Sequence, residues 1–294
     1  MNVLLAVDDD IHPPRTGGTQ RSFGLARGLA RAHRVQALCV VPNRSRGPAR
    51  ETVDGVRIVR TRAWQTSVLW RLDRAGVAPM FLARGVHDAR LARTTRLIEG
   101  VPEVRMADLH LAGLLRPGTA ALRVHHSHNV EYDRFRTARG PMCARATWAE
   151  RLRALEGEVV ASADLTVVCS DEDAARMHAL HGVARDRFVV VPNGFDETAI
   201  AAPDATQRAR ARAALALADD VQVSVFVGSD WGPNREALAH LVEHVFPALA
   251  AQGHALVVVG AVSRALAGRR EPWLRVLGEE AGQAEAFEVR SVES

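Results

Sequence analysis

"VLLAVDDDIHPPRTGGTQRSFGLARGLARAHRVQALCVV", Val3 to Val41, decides the fold. It opens on a short apolar run, passes three consecutive carboxylates and a Gly-Gly pair, enters a stretch of helical periodicity and ends on a second apolar run. Leu25, Leu29 and Ala32 fall at helical spacing beside Ala26 and Ala30, which gives a helix after Thr19 one apolar stripe. Two near-continuous apolar strands with an amphipathic helix between them are what a parallel sheet, covered on both faces, requires.

The pattern continues outward. VRIV from Val56, DLHLA from Asp108, ALRVHH from Ala121, DLTVVC from Asp164 and RFVVVP from Arg187 read as further buried strands. A second series follows the alanine-rich polar stretch 201–220: VQVSVFVG from Val221, ALVVVG from Ala255 and LRVLG from Leu274, with a helix from about Asn234 to Ala251. The organisation is therefore an N-terminal domain over 1–196, a connection over 197–220 and a second domain over 221–294. That second domain has about 75 residues, where ~100–150 are usual, so it reads as incomplete.

A chain of 294 residues with 47% hydrophobic content can bury two cores and is not a disordered polymer. It contains no lysine: all 38 basic residues are arginine, set against 34 acids for a net charge of +4. Nucleotide phosphates or a membrane surface suit that balance. Arginines scattered among acids, without a basic aromatic motif, argue against nucleic acid. No apolar run approaches the roughly 20 residues of a membrane helix and MNVLLAV is no basic leader, so the protein reads as cytoplasmic. Cys39, Cys143 and Cys169, odd in number and far apart, read as reduced thiols. From Arg62 to Ile98, Trp64, Trp70 and Phe81 mingle with arginines, a composition that suits peripheral contact with the inner membrane face and core packing alike.

Four motifs carry chemistry. Asp8, Asp9 and Asp10 after a first strand match the magnesium-holding acids of a phosphoacceptor receiver, but such a receiver relies on a late lysine, which is absent. Gly17 and Gly18 before a helix permit positive φ and close backbone approach, and free helix N–H groups favour a phosphate; a plain tight turn uses the same glycines. The G-x-G-x-x-G fingerprint is missing, which argues against a nicotinamide enzyme. "HHSHNVEYDRF", His125 to Phe135, ends a strand at the edge where open α/β sheets bind ligands. Along an extended strand His126 and His128 face one way and His125 the other, with no cysteine or acid pair at short spacing to complete a metal site, so a polar catalytic role is the leading reading, with a structural role as the alternative. "VVVPNGFDE", Val189 to Glu197, is a turn after a buried strand. "FVGSDWGPNREAL", Phe226 to Leu238, places Arg235 at a helix start where a guanidinium suits a phosphate, with a solvated arginine as the plain alternative.

Taken together and in this order, the motifs resemble the family-4 retaining glycosyltransferases of the GT-B type, from Met1 to about Gly278. Particularly similar are the Gly-Gly opening with Arg21, the "HNVE" of His128 to Glu131, "LEGEVVASADLTVVCSDED", "VPNGFD", and "VGSDWGPNREAL" leading into "LVVVG". The resemblance implies an α/β protein of two Rossmann-like domains facing across a cleft, the acceptor held mainly by the first and a UDP- or GDP-sugar by the second. It implies donor contacts from Gly17, Gly18, Thr19, Asn193, Gly194, Gly228, Asn234 and Arg235, with His128 as the catalytic residue beside the reacting sugar. Asp9 and Asp10 fall on the side of the acceptor, a sugar, a lipid-linked molecule or a natural product. Neither metal nor cofactor is implied, because positive side chains and helix N-termini neutralise the leaving diphosphate.

Two departures from the family pattern bear on activity. Ser229 follows Gly228 where many members carry arginine, and the E-x7-E segment expected after Gly278 is not in the sequence. The alternative reading is then a catalytically inactive truncated remnant or a sugar-nucleotide-binding fragment. The chain as it stands is expected to release nucleotide from UDP- or GDP-sugars at a rate near background, and to gain activity when joined to a homologous remainder. Product release by the purified chain checks this, and robust turnover contradicts it.

Overall fold

The apolar runs become the strands of two sheets in the computed structural model, which describes residues 1–43, 45, 47–75, 77–83, 94–115, 121–137, 146–195 and 202–278. The chain divides into two compact units, Met1–Phe195 and Asp196–Ser294. The first unit runs β1 (Asn2–Val7), α1 (Gly17–Ala30), β2 (Arg34–Pro42), β3 (Arg50–Val53), β4 (Val56–Ala63), α2 (Trp64–Arg74), β5 (Val104–Ala107), β6 (Leu122–His126), α3 (Glu131–Thr137), α4 (Ala146–Ser162), β7 (Leu165–Val168), α5 (Asp171–His181) and β8 (Phe188–Val190). Its sheet has the order β3-β4-β2-β1-β5-β6-β7-β8, parallel throughout except for β3 against β4.

The two faces of β1 show why near-continuous apolar runs were needed. Val3, Leu5 and Val7 join Phe23 and Ala26 of α1 in one core, while Leu4 and Ala6 join Leu152 and Val159 of α4 in the other. Burying each large apolar side chain contributes roughly 1.5–3 kcal/mol, so a strand covered on both faces gains twice from each pair of residues.

Two expectations are corrected, and one hairpin is added. Gly17 and Gly18 do not form a positive-φ turn before the helix; they are its first two residues, and neither has positive φ. A capping box starts the helix instead: the Thr16 hydroxyl accepts from the Thr19 amide, and the Thr19 hydroxyl accepts from the Thr16 amide at 2.9 Å. DLHLA is not a strand, because β5 stops at Ala107 and Leu109–Leu115 is a 3-10 helix that buries Leu109, Leu111, Ala112, Leu114 and Leu115. Its apolar density reflects core packing of a tight helix, which periodicity over so few residues does not separate from a strand. Finally, β3 pairs with β4 through a hairpin at Asp54 (φ 49°) and Gly55 (φ 80°), an Asp-Gly signal that the alternation "RETV" is too short to announce.

In the second unit Asp204 caps α6 (Ala205–Ala214), and β9 (Gln222–Val227), α7 (Gly232–His240), β10 (His254–Val259) and β11 (Leu274–Leu277) follow. The helix expected from Asn234 begins two residues earlier and continues through a π-turn at Leu241–Val245 into Phe246–Ala250. The sheet is parallel, in the order β11-β10-β9. Leu238, Val242 and Phe246 of the helix pack on Leu256 and Val258 of β10. The segment 279–294, which carries the end of the second expected domain, and residues 196–201 of the connection region lie outside the described residues.

After β10 the chain turns at Gly260 with φ +94°, and a Cβ there would stand 2.5 Å from the Gly228 carbonyl oxygen. Two strand ends meet through bare backbone at this point, so both position and conformation demand glycine. Gly260→Ala is expected to destabilise the second unit by about 3 kcal/mol. Urea unfolding followed by circular dichroism checks it; an unshifted midpoint contradicts the packing argument.

Candidate active site

Parallel strands bring all their carboxyl ends to one edge. The two neighbours of β1 in the sheet are β2 and β5, so the chain leaves β1 on one side and returns on the other, and a crevice opens at its carboxyl end. The sequence delivers polar residues to that edge: Asp8 to Asp10 after β1, Asp108 after β5, Ser127 to Asn129 after β6, Cys169 after β7 and Asn193 with Gly194 after β8.

Asp108 organises this edge. Its Oδ1 lies 3.0 Å from Nδ1 of the fully buried His126 and 3.4 Å from Nε2 of His128, and the two imidazole rings stand 4.5 Å apart edge to face. Burial works to raise the Asp108 carboxyl, but His128 and His126 overcome it and hold it well below the usual carboxylate range. Burial likewise works to lower His128, and the Asp108 carboxylate overcomes it, so His128 holds its proton more tightly than a free imidazole. His126 is lowered, because burial outweighs its hydrogen bond to Asp108, and burial pushes His125, whose Nδ1 is 3.3 Å from the Ala107 carbonyl, down to about 4. Of the three histidines in the motif, His128 is therefore the one built to carry a proton.

Its other nitrogen is left without a hydrogen bond. His128 Nδ1 is buried without a hydrogen-bond partner among the described residues, and a Cβ on Gly18 would stand 3.9 Å from it. The first turn of α1 and the imidazole thus face one another with only hydrogen on the intervening residue. A larger side chain at position 18 would cover the ring.

The loop carrying His128 is tied down on every side. The Ser127 amide donates to the Val167 carbonyl at 2.9 Å, the Ser127 hydroxyl to the Asn129 carbonyl at 2.6 Å, and the Cys169 thiol to the His128 carbonyl at 3.3 Å. The start of α3 is capped from outside: the Glu131 and Tyr132 amides donate to Glu156 at 2.6 and 3.4 Å, and His181 Nε2 lies 3.0 Å from the same carboxylate. Glu156 stands in the apolar stripe of α4 and is fully buried, a position a carboxylate tolerates only with its lone pairs taken. Arg21 of α1 reaches across the strand ends, donating to the carbonyls of Val191 at 2.7 Å and Val168 at 3.2 Å and to Asn193 Oδ1 at 3.0 Å.

The residues singled out in the sequence are brought together in part. Gly17, Gly18, His128 and Asn193 share the carboxyl edge of the first unit, with Asn193 engaged by Arg21. The Thr19 hydroxyl is occupied by the capping box, and a Cβ on Gly194 would meet nothing within 4 Å. In the second unit Asn234 Nδ2 donates to the Ser229 carbonyl at 3.1 Å and lies 3.2 Å from where a Cβ on Gly228 would stand. Arg235 pairs with Asp230 at 3.4 Å beside the start of α7 and remains half-exposed. Asp108 and Glu156 are the members that sequence reasoning missed, and Arg21, named there only with the Gly-Gly motif, gains its role from contacts across the strand ends. The acid that "HHSHNVE" lacks comes from the end of β5, and with it Asp108, His126 and His128 each present a possible metal ligand atom within 4.8 Å of the others.

Comparison with known proteins agrees with this architecture. The family model described as "Glycosyl transferase 4-like domain" matches residues 16–194. The sucrose-phosphate synthase of Thermosynechococcus elongatus is similar with a TM-score of 0.62 at 17% identity, over 88% of this chain and 62% of its own. WaaG, a glycosyltransferase involved in lipopolysaccharide biosynthesis, gives 0.59 at 16% identity, over 94% of this chain and 70% of its own. Anabaena Alr3699/HepE, solved in complex with UDP-glucose, gives 0.51 at 14% identity, over 95% of this chain and 69% of its own. None of the curated proteins matches the chain. These likenesses show the fold, an α/β architecture with parallel sheets as in GT-B glycosyltransferases, and the chain spans 62% of the length of the sucrose-phosphate synthase.

The Asp108–His128 pair sets a pH window. On the histidine side its stabilisation is complete below about pH 6.5 and is lost as pH rises through the raised His128 value. On the aspartate side it is present above about pH 3.9 and is lost as pH falls through the depressed Asp108 value. Asp108→Asn is expected to cost about 3 kcal/mol within that window, and to leave burial as the dominant influence on His128, so that its titration moves down. NMR titration of the imidazole signals checks this; a His128 titration that stays where it was contradicts the pairing.

Proposed function

Because the chain belongs to the glycosyl transferase 4-like family, we propose that it transfers a sugar from a nucleotide-sugar donor to an acceptor hydroxyl with retention of configuration. The observation that carries the reading is the unpartnered His128 Nδ1 facing the first turn of α1. A ring that holds its proton well, beside helix N–H groups that favour negative charge, suits a sugar diphosphate whose bond to the anomeric carbon is breaking. His128 then donates a hydrogen bond near the reacting sugar, and Asp108 keeps the imidazole oriented and charged. As the acceptor oxygen bonds to the anomeric carbon, its proton passes to the departing diphosphate, so the reading requires neither metal nor cofactor.

The donor nucleotide is UDP or GDP in this reading, and the UDP-glucose in the Anabaena structure supports the first. Donor contacts are proposed at Gly17, Gly18, Thr19, Asn193 and Gly194 in the first unit and at Gly228, Asn234 and Arg235 in the second. A second reading, binding without turnover, is favoured by β9, an edge strand of its sheet on which Val225 and Val227 are 60% and 72% exposed. No described helix is long and apolar enough to cross a membrane. A cytoplasmic protein touching the inner membrane face through α2 is proposed on the exposure of Trp64, at 63%, and Val68 on one helix face. Residues 84–93 of the same basic aromatic segment lie outside the described residues.

Nucleotide release from UDP- and GDP-sugars, followed on the chain as it stands and on the chain joined to a homologous remainder, tests the reading. His128→Ala is expected to lower the rate at least about 100-fold. Equal rates would remove His128 from the chemistry, the anomeric configuration of the product decides retention, and no release from either version overturns the transferase assignment.

A further inference from the structure

Two imidazoles of the histidine motif converge on one oxygen. Nδ1 of His126 lies 3.0 Å and Nε2 of His128 3.4 Å from the same Asp108 Oδ1, and one ligand atom from each of the three residues falls within 4.8 Å of the others. The outer nitrogens, His126 Nε2 and His128 Nδ1, are buried and have no hydrogen-bond partner among the described residues. A network that serves only to hold a buried ring uses both of its nitrogens, since an unpaired one has given up water for nothing. Here each ring spends its bond on the shared carboxylate, and three donor atoms surround a common point.

Their spacing is that of a coordination shell. Ligand atoms held at roughly 2.0–2.1 Å by a tetrahedral zinc ion stand about 3.3 Å from one another, and the two separations from Asp108 Oδ1 fall on either side of that value. Two imidazoles argue against magnesium and calcium, which take oxygen ligands, and the Cys169 thiol that would attract copper(I) is turned to the His128 carbonyl at 3.3 Å. The shell is fixed in advance by the sheet. His126 lies opposite Val167 in the register of β6 with β7, the Asp108 amide donates to the Ala6 carbonyl at 3.2 Å, and the Ser127 amide donates to the Val167 carbonyl at 2.9 Å. His126 and Asp108 are buried and His128 is partly exposed, so an ion enters from the side of His128. Asp8 favours positive charge there, and Arg21 opposes it.

We propose that Asp108, His126 and His128 bind one divalent transition-metal ion of the zinc class through Oδ1, Nδ1 and Nε2, with water in the fourth position. The ion takes the lone pairs of the two inner nitrogens. His126 then carries its proton on Nε2, and the proton between His128 and Asp108 leaves to water. The ion joins the ends of β5 and β6 and so stabilises the loop that carries His128. The site does not depend on sugar transfer, because Nδ1 of His128, on the other side of the ring, keeps its hydrogen and still faces the first turn of α1.

Cobalt(II) and zinc titrated into the full 294-residue chain test this, the first by its visible spectrum and the second by calorimetry. One ion per chain is expected, with the intense absorption of four-coordinate cobalt, lost when zinc is added and untouched by magnesium. His126→Gln, His128→Gln and Asp108→Asn are each expected to weaken zinc at least about tenfold. Zinc is expected to raise the thermal unfolding midpoint of the parent chain and not those of the three variants. The competing chelate is the pair His240 and His244, exposed on one helical stretch with rings 5.1 Å apart. Replacing both by alanine is expected to leave the ion bound. A readout on the unaltered chain needs no variant to fold: cobalt is expected to shift the imidazole NMR signals of His126 and His128 and not those of His240 and His244. No ion bound, the weak absorption of six-coordinate cobalt, signals that shift at His240 and His244 instead, or binding indifferent to all three substitutions in variants that circular dichroism shows folded overturns the proposal.

Discussion

Every neighbouring pair in the large sheet except β3 and β4 is parallel, and that constraint organises the first unit. Parallel strands need crossovers, the crossovers are helices, and the helices cover both faces, so each strand must be apolar on both sides. Because all the strands point one way, their carboxyl ends form a single edge. Whatever polar residue follows a strand is delivered there. The separation of the neighbours of β1, one reached by the outgoing chain and one by the returning chain, then opens the crevice that these residues line.

Burial of charge gives the edge its rigidity. Asp108, Glu156 and Arg60 are all removed from water, and each is surrounded by the groups that make this tolerable: two imidazoles for Asp108, two backbone amides and His181 for Glu156, two carboxylates and two carbonyls for Arg60. Such networks contribute little net stability compared with apolar packing, and losing one member leaves another charge stranded. Their effect is positional. Glu156 sets where α3 begins, the start of α3 sets the loop before it, and that loop carries His128. Arg60 does the same for the chain between β1 and α1.

The second unit repeats the strand and helix alternation on a smaller scale. Its strand ends approach so closely that Gly260 meets the Gly228 carbonyl, and the Gly228 amide donates to the Val259 carbonyl at 3.1 Å. Gly228 is thus accounted for by packing as well as by any ligand. Arg235 is likewise engaged with Asp230. These two residues show how one motif serves structure and chemistry together, which the string of letters "VGSDWGPNREAL" does not separate.

The sequence by itself determined the fold class, the existence of the helix that follows β1 and the placing of "HNVE" at a strand end, because apolar periodicity acts over a few neighbours in the chain. It misread "DLHLA", where a 3-10 helix and a strand share the same apolar density over so short a run. It also left the histidine motif without an acid. The tertiary structure alone decided that Asp108 serves His126 from 18 residues away, and that Glu156 caps α3 from 25 residues away. Those partnerships depend on which strands and helices lie side by side. A buried polar group is satisfied by whatever the packing brings within about 3 Å, and that proximity is set by sheet order and helix placement, not by spacing along the chain.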